Sequence, residues 1–157
     1  MAPQDDLDRI MAVMHAAFDP AYGEAWTRSQ VEGALVVGRT DYWLIAPDGG
    51  PAGDGPAAGF ALVRCILDEA ELLLFAIAPQ YRRRGLGAKM LSCVQRDLRK
   101  SGVREFLLEM RRGNPAEHLY TAHGFAPIGI RPQYYTAKSG ERLDAITFRC
   151  DLDEKLG

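Results

Sequence analysis

Between Leu7 and Phe18 the apolar residues Leu7, Ile10, Met11, Met14 and Phe18 recur at helical spacing, with Asp5 and Asp6 near the start, which predicts an amphipathic helix. Trp26 to Val31 opens a second helix, with Thr27 as its N-cap. The pattern then shortens into apolar runs. Tyr42–Ala46, Gly59–Ile66 and Glu71–Ala78 read as strands, joined by a Gly/Pro-rich connection over 47–56 and by a turn at Asp68-Glu69. Helical spacing returns from Leu86 to Lys100 through Met90, Leu91, Val94 and Leu98, and stops at Ser101-Gly102. A strand follows at Phe106–Met110. Asn114-Pro115-Ala116-Glu117 reads as a helix start, with Asn as cap, Pro at the first helical position and Glu three residues after the cap. Gly124 ends that short helix, and Ala126–Arg131 and Asp144–Leu152 are the last predicted strands.

This order bounds the fold. The strand–helix–strand–helix unit from Glu71 to Gly124 favours parallel pairing, and the hairpin-like segments on either side favour antiparallel pairing. An α/β fold with a mixed sheet and helices on both faces is the simplest outcome. With no internal repeat and no sign of a second core, residues 1–157 are read as a single domain.

Composition narrows the function classes. An apolar fraction of 47% and a charged fraction of 25% are those of an ordinary soluble domain. No apolar stretch approaches 18 residues, so no membrane span is expected, and the opening Met-Ala-Pro-Gln-Asp-Asp lacks the basic-then-apolar form of an export signal. Cys65, Cys93 and Cys150 show no paired spacing and read as buried thiols in a reducing cytoplasm. His15, His118 and His123 have no metal-ligand spacing, so no metal is expected. A net charge of −2 gives no general attraction to nucleic acid, against which the cluster Arg82–Arg84 suits a small polyanion.

That cluster opens Arg82-Arg83-Arg84-Gly85-Leu86-Gly87-Ala88, set between a strand and a helix. Glycines let backbone approach an anion, successive N–H groups point inward, and the helix N-terminus adds partial positive charge. The spacing is neither that of a P-loop, since no Lys-Ser or Lys-Thr follows, nor that of the three-glycine dinucleotide fingerprint. Two further residues could carry chemistry. Glu109 lies near the end of an apolar strand and reads either as a carboxylate paired with Arg111 or Arg112, or as a general base raised in pKa by apolar surroundings. Tyr120 reads either as a packed aromatic with a solvent-reaching hydroxyl or as a proton donor.

Arg82-x-x-Gly85-x-Gly87, together with Leu119-Tyr120-x-x-x-Gly124-Phe125 behind an Asn-headed helix, resembles the GNAT superfamily of acetyl-CoA-dependent N-acetyltransferases. Trp26-Thr27, Arg131-Pro-Gln-Tyr134-Tyr135 and Gly140-Glu-Arg-Leu-Asp144-Ala-Ile resemble its branch of ribosomal-protein-alanine N-acetyltransferases, of RimI type, and the similarity runs from Trp26 to Leu152. The resemblance implies a mixed, mostly antiparallel central sheet with acetyl-CoA as cosubstrate. The main chain of Phe75, Ala76 and Ile77 would hold the pantetheine arm. Arg83, Arg84, Gly85, Leu86, Gly87 and Ala88 would wrap the pyrophosphate, with Arg82 at the loop's start, and Asn114 would sit near the thioester. Glu109 would be the base and Tyr120 the acid, with Trp26, Glu71, Tyr134 and Tyr135 on the acceptor side. Glu71 also matches the base position of the histone-type branch. Two departures stand out: the Glu109–Tyr120 segment is one residue shorter than in the branch, and Leu74 replaces a frequent Asn. The implied acceptor is a protein N-terminus, of a ribosomal protein, or alternatively a small amine. A non-catalytic acetyl-CoA-binding module is a further reading. Neither nucleic acid nor membrane is an expected partner, and a monomer or weak dimer is expected.

Overall fold

The computed structural model describes residues 4–20, 23–53 and 55–152. Along the chain come α1 (Gln4–Ala17), α2 (Arg28–Val36), β1 (Arg39–Ile45), β2 (Gly59–Ile66), β3 (Glu69–Ile77), α3 (Leu86–Lys100), β4 (Glu105–Arg111), α4 (Glu117–Ala122), β5 (Ala126–Thr136) and β6 (Arg142–Asp151). The strands form one sheet in the order β1-β2-β3-β4-β6-β5. The β3–β4 pair, joined through α3, is parallel and the other neighbours are antiparallel. The expected mixed, mostly antiparallel sheet is therefore what the chain forms.

Its two faces are covered by different helices. On one, Leu86, Met90, Leu91, Val94 and Leu98 of α3 pack with Phe106, Phe125 and Phe148. On the other, Leu7, Ile10, Met14 and Val31 of α1 and α2 pack with Phe60, Leu62, Leu74 and Ala76. Each of the larger side chains stabilises the fold by about 1.5–3 kcal/mol through burial alone. α1 is also pinned to β1 by a polar contact, in which the Tyr42 hydroxyl donates to Asp6 at 2.6 Å while Arg9 pairs with the same carboxylate at 2.8 Å. Thr27 caps α2 as expected: its hydroxyl accepts the Gln30 N–H and the Gln30 side chain accepts the Thr27 N–H.

One irregularity shapes the centre of the sheet. Leu62 pairs with Leu74 but Val63 pairs with Leu72, so Leu73 is an extra residue on β3. A bulge of this kind bends its strand and raises the local twist. Accordingly β3 pairs with β4 only from Glu69–Glu105 to Leu72–Leu108. Beyond that point the two strands part, and the gap between them is the cleft described below. Gly59 lets β2 stay close to β3 there. A Cβ on it would meet the Ile77 side chain and lie 2.7 Å from the Ala76 carbonyl oxygen.

Three expectations change. α4 begins at Glu117 rather than at Pro115, because Asn114 caps a turn: its side-chain oxygen accepts the Ala116 N–H at 2.9 Å, and the Glu117 N–H goes to the Asn114 carbonyl. β5 does not end at Arg131. It crosses Pro132 through a register shift, with Gln133 at φ 54°, which an edge strand tolerates because its outer N–H groups have no ladder to serve. Cys65 and Cys150 are buried, but Cys93 lies at the margin of α3's apolar face and is only half-buried.

Candidate active site

β3 ends at Ile77, and a single 3₁₀ turn, Pro79–Tyr81, leads into the arginine and glycine loop. Arg82 fastens that loop, its Nε donating to the Ile77 carbonyl at 3.1 Å and its Nη2 to the Ala17 carbonyl at the end of α1 at 3.2 Å. It lines the cavity below, but its guanidinium is engaged with main chain. Arg83 (φ 65°) and Gly85 (φ 75°) both adopt the left-handed conformation that turns N–H groups to one side. Gly85 is also the N-cap of α3, with no side chain to satisfy the helix's first N–H groups. Gly87 comes next, where a Cβ would lie 3.4–3.8 Å from the side chains of Leu119, Ile77 and Phe75. A cavity of about 710 Å³ runs along this surface. Phe75, Ala76, Ile77, Gly85, Gly87 and Asn114 line it, together with Arg82, Arg83, Leu86 and Ala88. Such a surface can accept an anionic, elongated ligand. Arg84 does not line it; its guanidinium lies over the Tyr81 ring, 5.6 Å from the centroid.

The other side of the parted strands holds a second cavity of about 360 Å³. Trp26, Glu109, Tyr120 and Tyr135 all line it, and Asn114, Phe75 and Tyr120 border both cavities. Glu109 projects from β4 beside the β6 residue Thr147, whose hydroxyl donates to it at 3.4 Å. Its carboxylate lies 3.3 Å from the Arg131 guanidinium, and Arg131 in turn covers the Tyr134 ring at 4.7 Å. The partners weighed from the sequence are spoken for elsewhere: Arg111 pairs with Glu24 and Arg112 with Asp144. The surroundings of Glu109 are also less apolar than its strand implies, because an arginine from β5 and a hydroxyl from β6 converge on it.

Tyr120, on α4, is buried between the Phe75 ring (6.0 Å, edge-on) and the Phe125 ring (5.7 Å). Burial holds its phenol far above the usual value, and the negative charge of Glu24 adds to this, so it keeps its proton at every physiological pH. It is thus a packed aromatic that also lines both cavities. Tyr135 is pushed up to about 12, first by burial and then by the charges of Glu109 and Glu24. Tyr134 is exposed and lies off the cavity. Glu71 is also off it, paired with Arg64 at 2.6 Å on a half-exposed stretch of β3. Among the described residues no cluster of three or more His, Cys, Asp or Glu could hold a metal, and no helix is long and apolar enough to cross a membrane.

Residues 38–127 match the family model for the acetyltransferase (GNAT) domain, more than half of the chain. The chain belongs to that family. This GNAT domain is similar to the [ribosomal protein bS18]-alanine N-acetyltransferases of Haemophilus influenzae (39% identity over 94 residues, 60% of this chain and 64% of the relative) and Escherichia coli K12 (42% over 94 residues, 59% and 63%). The matched stretch thus spans a little under two thirds of those relatives. Among solved structures, the ribosomal-protein-S18-alanine N-acetyltransferase of Escherichia coli superposes with a TM-score of 0.82 at 29% identity, covering 98% of this chain and 92% of that one. Arabidopsis thaliana NAA60 in complex with acetyl-CoA shares the fold, with a TM-score of 0.77 at 18% identity and coverage of 98% and 97%.

Sequence reasoning missed Glu24 and weighed Arg111 only as a partner of Glu109. Glu24 stands between two helices with no periodicity around it, and Arg111 closes a strand. Only the fold brings them together, at 3.6 Å, with both side chains largely buried.

Proposed function

We propose that this GNAT domain is an acetyl-CoA-dependent N-acetyltransferase acting on the N-terminal α-amino group of a ribosomal protein. The observation that carries the reading is the continuity of the site. Left-handed loop residues at the start of α3 lead along the end of β3 into the gap where β4 departs, and that gap ends at Glu109 and Tyr120. The names of the bS18-alanine relatives support the acceptor. Such an acceptor sets the reaction in the cytoplasm, and residues 1–157 act as one catalytic domain.

Bound acetyl-CoA supplies an acetyl group activated as a thioester. Main-chain N–H groups from Arg83 to Ala88 hold its diphosphate, the edge of β3 at Phe75–Ile77 holds its arm, and Asn114 lies where the two cavities meet. Glu109 accepts a proton from the incoming ammonium group, the neutral nitrogen bonds to the thioester carbon, and the second proton that this nitrogen sheds passes to solvent. As the carbon–sulfur bond breaks, Tyr120 gives its proton to the departing sulfur and is reprotonated from solvent through the cavity it lines. A phenol held protonated by burial suits a donor that must not ionise before that moment. An α-amine, with a reference pKa of about 7.7–8.0 against about 10.4 for lysine, asks only modest basicity of Glu109. Trp26 and Tyr135 wall the acceptor side.

Mass spectrometry of reactions with acetyl-CoA tests this, comparing an Ala-initiated ribosomal peptide, the same peptide with a blocked N-terminus but free lysine, and a panel of small amines. Turnover is expected for the free N-terminus alone. Turnover of the small amines alone would overturn the acceptor.

A further inference from the structure

Glu24 takes no part in the mechanism above, yet among the described residues it is the only carboxylate that lines both cavities. Glu109 lines only one. The Glu24 side chain is largely buried, and its charge is felt by both Tyr120, which lines both cavities, and Tyr135, which lines the smaller one. Burial raises its pKa, and Arg111 opposes that rise and favours the ionised form. Arg111 approaches one carboxylate oxygen to 3.6 Å, and a carboxylate has about four acceptor positions, so Glu24 can accept from an incoming donor while still paired.

An α-amine near neutral pH arrives mostly as a cation. Of the two acids facing the acceptor cavity, Glu109 has both an arginine and a hydroxyl on it, whereas Glu24 is held by Arg111 through the longer contact. We propose that Glu24 receives the acceptor's α-ammonium group on entry and holds it at the junction of the two cavities, making Glu24 a specificity-determining residue of the acceptor site. The proposal rests on the acetyltransferase reading and deepens it. It implies selection for a charged amine at the first residue and against acceptors that lack one.

A purely structural latch between Glu24 and Arg111 would tie the α1–α2 segment to β4 without sensing the amine. Titration calorimetry in the presence of coenzyme A separates the two roles. The ligands are an Ala-initiated peptide and its desamino counterpart, in which propionyl replaces alanyl, titrated into the full chain and its Glu24→Gln and Glu24→Asp variants. In Glu24→Gln the amino peptide should bind about tenfold more weakly and the desamino peptide within twofold of wild type, as loss of a charge-assisted hydrogen bond predicts. Glu24→Asp should recover part of the loss. Equal weakening of both peptides, or no weakening of either, overturns the proposal. Acetylation of the amino peptide by the wild-type chain is measured alongside. Its absence would sink the acetyltransferase reading itself, whereas intact wild-type turnover with an unchanged acceptor KM in Glu24→Gln sinks only the role of Glu24.

Discussion

At the α3 end of the cleft much of the wall is loop: Arg83 and Gly85 take left-handed turns, Gly87 has no side chain, and the edge of β3 runs alongside. At the β4 end the wall is side chain. Glu109 comes from β4, Tyr120 from α4, Tyr135 from β5 and Glu24 from the segment before α2. The basic side chains divide in the same way: Arg82, Arg83 and Arg111 line only the first cavity, whereas the second has the acids Glu24 and Glu109, with Glu24 bordering both. A polyanion on one side and a cation on the other would each meet the opposite sign. A backbone wall tolerates many side chains and needs only the right turns. A side-chain wall depends on four segments arriving together.

This division can be broken from either side. The largest effect is expected for Glu109→Gln, which should lower kcat by about 10²–10⁴-fold. Acetyl-CoA affinity should stay within twofold, as read by steady-state kinetics and calorimetry. A parallel loss of cofactor affinity would mean that the two walls are not independent. The converse change is Gly85→Val. It places a branched residue at φ 75°, a strain of about 1–2 kcal/mol, and should weaken acetyl-CoA binding about tenfold while sparing kcat at saturation.

Legibility followed the same line. The glycine loop could be read because its requirement is conformational, and conformation narrows the residue types allowed at Gly85. α3 could be read because its apolar residues keep one period throughout. The bulge could not, because Leu72, Leu73 and Leu74 are identical and an unbroken apolar run hides which of them changes face. Pro132 looked like a stop because an interior strand could not accept it, and nothing local showed that β5 lies at the edge. The partner of Glu109 went unseen for a related reason: Arg111 and Arg112 are close in sequence, whereas Arg131 is close only once β6 and β5 have paired beside β4.

The smallest expected effect concerns the hairpin that carries Tyr135. Asp144 accepts the Gln133 N–H at 3.0 Å and pairs with Arg112 at 3.1 Å, and these contacts hold its carboxyl below the ordinary range. A lowered native pKa stabilises the fold fully above the unfolded value of about 3.9, and that contribution is lost as pH falls through the native one. Melting curves between pH 6 and pH 3 should therefore show a small acid-sensitive component that Asp144→Asn lacks. At neutral pH the variant should melt slightly lower and bind acetyl-CoA unchanged, since the contact supports only the side-chain wall.

The extra leucine on β3 also means that the crevice is a matter of arithmetic more than of chemistry. Shorten that strand by one position and its hydrogen-bond ladder with β4 could zip on past Leu72, sealing the sheet into a continuous plank with every reactive group still attached and no route for one substrate to reach the other.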